Sequence, residues 1–192
     1  MQRNEGFTLT ELLVAMAIAS IVMASIYSTY MSHQKSYEIT EEVTAVQQNL
    51  RAAMYYVERE LRMAGYDPLE TAGTTFHDLT QNPRQPTPGT AFEFSWDGAA
   101  SGTTPDGSLT ANEHIFYTRN TNDNTLRRQI GAGGYQTVAE HISGVTFLCY
   151  DQDGNTTTTP NDVRSVLIQL SASQGGHSRI LESRVCCRNM GL

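Results

Sequence analysis

Between Phe7 and Ala64 the chain has no glycine and no proline. These two residues are the most hostile to a helix interior. Their absence leaves one continuous helix unopposed, at ~1.5 Å per residue roughly 85 Å long, beyond any ordinary globular helix. Charge is missing too: from Leu12 to Ile26 only Ser20 and Ser25 are polar. Basic residues are few, 13 Lys and Arg against 20 Asp and Glu, for a net charge of −7. That balance gives no support to general nucleic-acid binding, which wants basic patches, and no nucleic-acid partner is expected. Three cysteines, Cys149, Cys186 and Cys187, are too few for the paired clusters of a zinc site. His33, His77, His114, His141 and His177 are scattered without paired spacing, and no Gly-x-Ser-x-Gly elbow occurs. Gly131-Ala132-Gly133-Gly134 opens no helix after a strand, so it is not a phosphate loop. Nothing in the sequence asks for an enzyme or a cofactor.

What is present begins with the apolar run. Counted from Phe7 to Tyr30 it reaches the ~20 residues that cross about 30 Å of hydrocarbon. Arg3 and the initiator amine precede it, and positive charge stays cytoplasmic, so the bulk of the chain should lie outside. Glu11 sits near the start of this run, where an ionised side chain costs at least ~2.5 kcal/mol unless it pairs or stays near the headgroups. No small-x-small cleavage site follows at Tyr27-Ser28-Thr29-Tyr30, as an ordinary secretory signal would require.

The stretch Gly6-Phe7-Thr8-Leu9-Thr10-Glu11-Leu12-Leu13-Val14-Ala15 resembles the class III leader junction of type IV prepilins and type II secretion pseudopilins. The resemblance implies cleavage between Gly6 and Phe7 by a membrane-embedded prepilin peptidase. It further implies methylation of Phe7 by the same enzyme and an assembly role for Glu11. The chemistry is consistent: cleavage frees an α-amine with pKa about 8. A carboxylate one helical turn on can pair with that amine, in its own chain or in a neighbour's. Such pairing would remove the cost of the buried charge and set the register of a filament.

Beyond Tyr30 the helix changes character. Ile39, Val43, Val46, Leu50, Ala53, Val57, Leu61 and Ala64 recur at helical period, with Glu41, Glu42, Gln47, Arg51, Glu58, Arg59 and Arg62 between them. This seam should lie on a sheet; a coiled-coil dimer is the competing arrangement. Gly65 is a natural left-handed cap, and Pro68 prevents resumption. Residues 65–112 are interrupted throughout by glycine and proline, with room for one strand, Ala91 to Trp96. Strands are then expected at His114–Arg119, Thr125–Ile130, Tyr135–Ile142, Val145–Tyr150, Val163–Ala172 and Ser178–Arg188. Short turns between them suggest one mostly antiparallel sheet and an α+β fold. The expected parts are a leader (1–6), a membrane or filament-core half-helix (7–30), an amphipathic half-helix (31–64) and an extracytoplasmic β-rich domain (65–192).

Arg59-Glu60-Leu61-Arg62-Met63-Ala64-Gly65-Tyr66 and Glu182-Ser183-Arg184-Val185-Cys186-Cys187-Arg188-Asn189 are similar to the helix end and last strand of PilW-type minor pilins. The J-type minor pseudopilin is a near relative. This likeness implies a type IV pilin-like fold and a structural subunit that helps start a pilus. The implied partners are the prepilin peptidase and methylase, major and other minor pilins, and the inner-membrane assembly platform. Before assembly the chain would rest in membrane lipid of the inner membrane; afterwards it would lie in the extracellular pilus. The alternatives are a J-type pseudopilin of a type II secretion system and a pilus-displayed adhesin. Three local readings stay open. Cys149 could bridge Cys186 or Cys187 if their strands neighbour, or all three thiols could be free. Asp151, Asp153 and Asn155 carry alternate oxygens that suit calcium, but an acidic hairpin turn reads better. Trp96 fits a core position or a partner contact.

Overall fold

A computed structural model describes residues 7–70, 73, 91–98 and 104–190. The chain divides into two compact units, Met1–Glu42 and Val43–Leu192. One helix, α1 (Leu9–Leu61), begins in the first and ends in the second. In the first unit every described residue up to Thr40 is exposed. The second unit is an α+β domain, in which Val46, Leu50, Ala53, Met54, Val57 and Leu61 bury one stripe of the helix. The helix seam thus packs on sheet, as its period indicates, and Ile39 at its start is not part of the buried stripe.

The helix ends by tightening. Met63 and Ala64 donate to the carbonyls of Glu60 and Leu61, three residues back, at 2.9 and 3.1 Å. Gly65 then turns left-handed at φ +77°. Its N–H leaves the helix and donates to the Ser95 carbonyl at 3.0 Å, and a side chain there would run into Met190. The Asn189 amide donates to the orphan carbonyl of Arg62 at 3.4 Å. The chain's far end therefore caps its long helix.

Among the described residues seven strands follow: β1 (Ala91–Ser95), β2 (His114–Asn120), β3 (Thr125–Ile130), β4 (Gln136–Ala139), β5 (Ile142–Tyr150), β6 (Ser165–Gln174) and β7 (His177–Cys186). Every pairing is antiparallel. The single sheet expected from the sequence is corrected to two, ordered β1-β2-β3-β4 and β5-β6-β7. The break falls at Glu140-His141. His141 has φ +59°, an uncommon left-handed value, which ends the extended backbone between β4 and β5. Ile142 then donates to Asn124 rather than to β4. The expected Tyr135–Ile142 strand accordingly stops at Ala139, and β5 starts three residues earlier than Val145.

Helix and both sheets share one core. Phe92, Phe94, Ile115, Tyr117 and Leu126 meet Phe147, Val166, Ile168 and Leu170 over the helix stripe. Phe92 and Phe147 stack across the two sheets with centroids 5.0 Å apart. Strand β1 is buried at every residue, not alternately. Its second face, Ala91, Glu93 and Ser95, is also covered, and Glu93 lies 3.2 Å from the His114 ring. Trp96 packs half-buried beside Phe94 at the core margin.

A buried polar cluster crosses this apolar contact. Glu60 on α1 meets Arg128 on β3 in a two-pronged ion pair, Oε1 to Nη2 at 2.6 Å and Oε2 to Nε at 2.8 Å. The Tyr117 hydroxyl donates to the same carboxylate. Arg128 also lies over the Tyr56 ring at 5.7 Å and reaches Gln136. Burial, then the Glu60 charge, push the Tyr117 hydroxyl far above its ordinary pKa, so it stays protonated and serves as a donor. Removing one partner from such a pair strands a buried charge. Glu60→Ala should therefore destabilise the domain by about 3–5 kcal/mol in denaturant titrations of the full chain in detergent. The double change Glu60→Leu with Arg128→Met should lose much less.

Candidate functional site

The amino-terminal segment is built around an acid in an apolar helix. Gly6 lies outside the described residues. Phe7 is exposed, as are Leu9, Leu12, Leu13, Val14, Met16, Ile18, Ile21, Val22, Met23 and Ile26. This helix is long and apolar enough to cross a membrane, and its apolar window has no buried residue. An apolar surface of this extent needs lipid or other helices around it. Ser20 and Ser25 return their hydroxyls to the carbonyls of Ala17 and Ile21 at 2.8 and 3.0 Å, so neither leaves an unpaired donor in that surface.

Glu11 is held locally. Its Oε2 accepts the Thr8 N–H at 2.9 Å and the Thr8 hydroxyl at 2.7 Å, while the Thr8 oxygen accepts the Glu11 N–H at 3.3 Å. This is a capping box, Thr-x-x-Glu, which satisfies donors the first helical turn would otherwise leave orphaned. The motif stands in the sequence at Thr8-Leu9-Thr10-Glu11, but sequence reasoning gave Glu11 only the freed amine, its own chain's or a neighbour's, as partner. Among the described residues Oε1 of Glu11 receives no hydrogen bond, so one oxygen of the acid stays available.

The carboxyl-terminal candidates divide. Cys149 lies on β5, Cys186 ends β7, and Cys187 follows it. Strand β6 separates β5 from β7, so the condition for a bridge, neighbouring strands, is not met. All three thiols are free. Cys149 and Cys187 share the core, while Cys186 is exposed. Burial, then the neighbouring thiol, push Cys149 and Cys187 each up to about 12. The Asp151 turn uses its acid internally: Oδ1 accepts the N–H groups of Asp153 and Asn155 at 2.9 and 2.8 Å. Its backbone N–H closes onto the Asn155 carbonyl at 2.9 Å, and Gly154 supplies φ +84°. Asp151, Asp153 and Asn155 thus form a closed hairpin turn. Among the described residues no group of three or more His, Cys, Asp or Glu side chains could hold a metal ion.

Two buried acids that sequence reasoning passed over organise the segment between β1 and β2. Asp97 accepts the N–H groups of Asp106 and Gly107 at 3.1 and 2.9 Å. Glu113 accepts the N–H groups of Gly98 and Thr110, both at 2.7 Å, and the Thr110 hydroxyl at 3.0 Å. The signal was again Thr-x-x-Glu, at Thr110-Ala111-Asn112-Glu113, a second capping box. Burial pulls the Glu113 carboxyl upward, but the N–H donors from Thr110 and Gly98 outweigh it and hold the group below its ordinary value.

Residues 1–27 match the profile of the prokaryotic N-terminal methylation motif. Residues 40–183 match that of prepilin peptidase-dependent protein B. No curated protein matches the chain. The two profiles fall on the two regions just described, the apolar amino-terminal helix and the helix-on-sheets domain.

Two measurements check this site. A maleimide should label Cys186 rapidly in the folded protein, with Cys149 and Cys187 reacting only after unfolding; mass spectrometry of digested adducts reads the order. Glu113 has a lowered folded pKa, so its stabilisation is present above the unfolded value near 4.5 and is lost as pH falls through and below it. Glu113→Gln should lower stability at neutral pH and flatten that acid loss, followed by amide exchange across residues 104–113.

Proposed function

The chain belongs to the prepilin peptidase-dependent protein B family, and from that premise we propose that it is a minor type IV pilin of the PilW kind. It is a structural subunit, processed by prepilin peptidase, that helps to begin assembly of a pilus. The observation that carries this reading is the union of an N-terminal methylation motif with a wholly exposed apolar helix that continues into a pilin-like α+β domain.

The chain waits in the inner membrane with its amino terminus in the cytoplasm and its β-rich domain outside. Cleavage after Gly6 frees the Phe7 amine. In the uncut chain Thr8 occupies one oxygen of Glu11, which keeps the acid solvated by its own helix turn. The free Oε1 then receives an amine, its own or a neighbour's, and the two charges cancel in apolar surroundings. The filament replaces lipid around Leu9 to Ile26 with the helices of other subunits. Sister pilins, the peptidase and the assembly platform are its partners, and no catalytic group is required of it.

Replacing Gly6 by a bulky residue should abolish the shift to the mature band on a gel, and Gly6→Ala should slow it. Glu11→Ala should be cut nearly as well as wild type yet be depleted from sheared filaments by immunoblot. Full incorporation of Glu11→Ala would overturn the amine-pairing role, and an intact initiator methionine in cells with active peptidase would overturn the reading as a whole.

A further inference from the structure

The outward stripe of α1 in the second unit is neither plain nor solvated like a charged helix face. Arg51, Ala52, Tyr55, Tyr56, Arg59, Arg62 and Met63 are all exposed there, Tyr55 at 69 %. Tyr55 stands between two hollows. The larger, of about 590 Å³, is walled by Tyr55, Tyr56, Arg59, Arg62, Met63 and Trp96, together with Glu58 and Glu60. The smaller, of about 240 Å³, lies between Arg51 and Tyr55 of the helix and Leu181–Ser183 of β7.

Of the acids around these hollows, Glu58 is paired with Arg62 at 3.3 Å and Glu60 with Arg128, while Glu182 keeps its charge and accepts a hydrogen bond from the neutral Gln169 amide. Among the described residues no carboxylate forms an ion pair with Arg51 or Arg59. Arg51 and Arg59 thus stand without an ion-pair partner on an aromatic face, with Glu182 the one nearby acid not paired to a cation, in a protein whose net charge is −7. Tyr, Trp, Met and Arg are the residues enriched at protein interfaces, and Arg binds carboxylates in two-pronged fashion. The chain has a single lysine, Lys35, so this face lacks the flexible point charges that suit a loose anionic surface.

We propose that this stripe is a docking surface for an acidic segment of a neighbouring pilin-like subunit. The partner's carboxylates meet Arg51 and Arg59, and an apolar side chain between them enters the hollow beside Tyr55 and Trp96. The inference rests on the filament-subunit reading and names the chemistry of its neighbour. Helix α1 presents the stripe, and the two acids in the hollow's wall, Glu58 and Glu60, each already have a cation in Arg62 and Arg128.

The test uses the full chain in its native membrane, with a benzophenone amino acid at Tyr55 and, as control, at exposed Ile180. Irradiation at Tyr55 should give one protein adduct. Mass spectrometry should identify in it a chain with its own N-terminal methylation motif, joined through a peptide rich in Asp and Glu. Arg51→Glu with Arg59→Glu should cut the adduct at least tenfold while leaving leader cleavage and the folded-state protease pattern unchanged. Arg51→Lys with Arg59→Lys should keep part of it. An adduct to phospholipid, to a protein without that motif, or of equal yield from Ile180 would overturn the proposal. So would an adduct undiminished by the charge reversal, or none from a correctly cleaved chain. A chain that is never cleaved would instead refute the filament reading beneath it.

Discussion

The domain depends on a carboxylate that a helix cannot leave unpaired. Glu60 falls on the buried side of α1, three residues after Val57 and one before Leu61, both fully buried. An acid in that place is tolerable only with a cation and further donors supplied. Arg128 supplies the cation from β3, and Tyr117 supplies the hydroxyl from β2. Apolar burial would let the helix slide or rotate on the sheets, because apolar contact is non-directional. The ion pair has one geometry, so it fixes the helix against the first sheet in both rotation and register. The second sheet adds area through Phe147, Ile168 and Leu170 without adding another such constraint on the helix.

Much of this was legible in the chain, and the reasons differ by element. The helix could be read because nothing within it breaks periodicity, and its stripe from Val46 to Leu61 is the stripe the spacing marks out. Thr125–Ile130 was bounded correctly because turn residues flank it closely on both sides. The division into two sheets was not legible. It turns on His141 taking a left-handed backbone, which a histidine does seldom and for reasons set by its surroundings. The all-buried β1 was missed for the same reason: alternation shows which face meets the core, and not whether something covers the other.

The polar residues show a sharper limit. Asp97, Glu113 and Glu60 look in sequence like any surface acid, yet all three are partnered inside the domain. Local pattern could have found one of them. Thr-x-x-Glu occurs at Thr110–Glu113 as it does at Thr8–Glu11, and in both places the threonine and glutamate close on each other. The Glu60–Arg128 pair spans 68 residues of sequence, and no local pattern announces it.

The two capping boxes also bear on why an acid can sit at the head of an apolar helix at all. A glutamate in hydrocarbon is costly when bare. At Glu11 the first turn's own donors, otherwise orphaned, are the donors that solvate it. The acid and the helix end each supply what the other lacks. That arrangement is local, uses Oε2, and needs no second subunit. On the proposed reading, an amine freed by leader cleavage would meet an acid already positioned, with Oε1 open, and assembly would add a charge partner without first rebuilding the helix start. The same economy holds at the other end of α1, where Asn189, in the turn after the last strand, and Gly65, in the turn after the helix, close it. Both ends of the long helix are thus finished within one chain, which leaves its exposed apolar run as the part of the molecule that only lipid or a neighbour can complete.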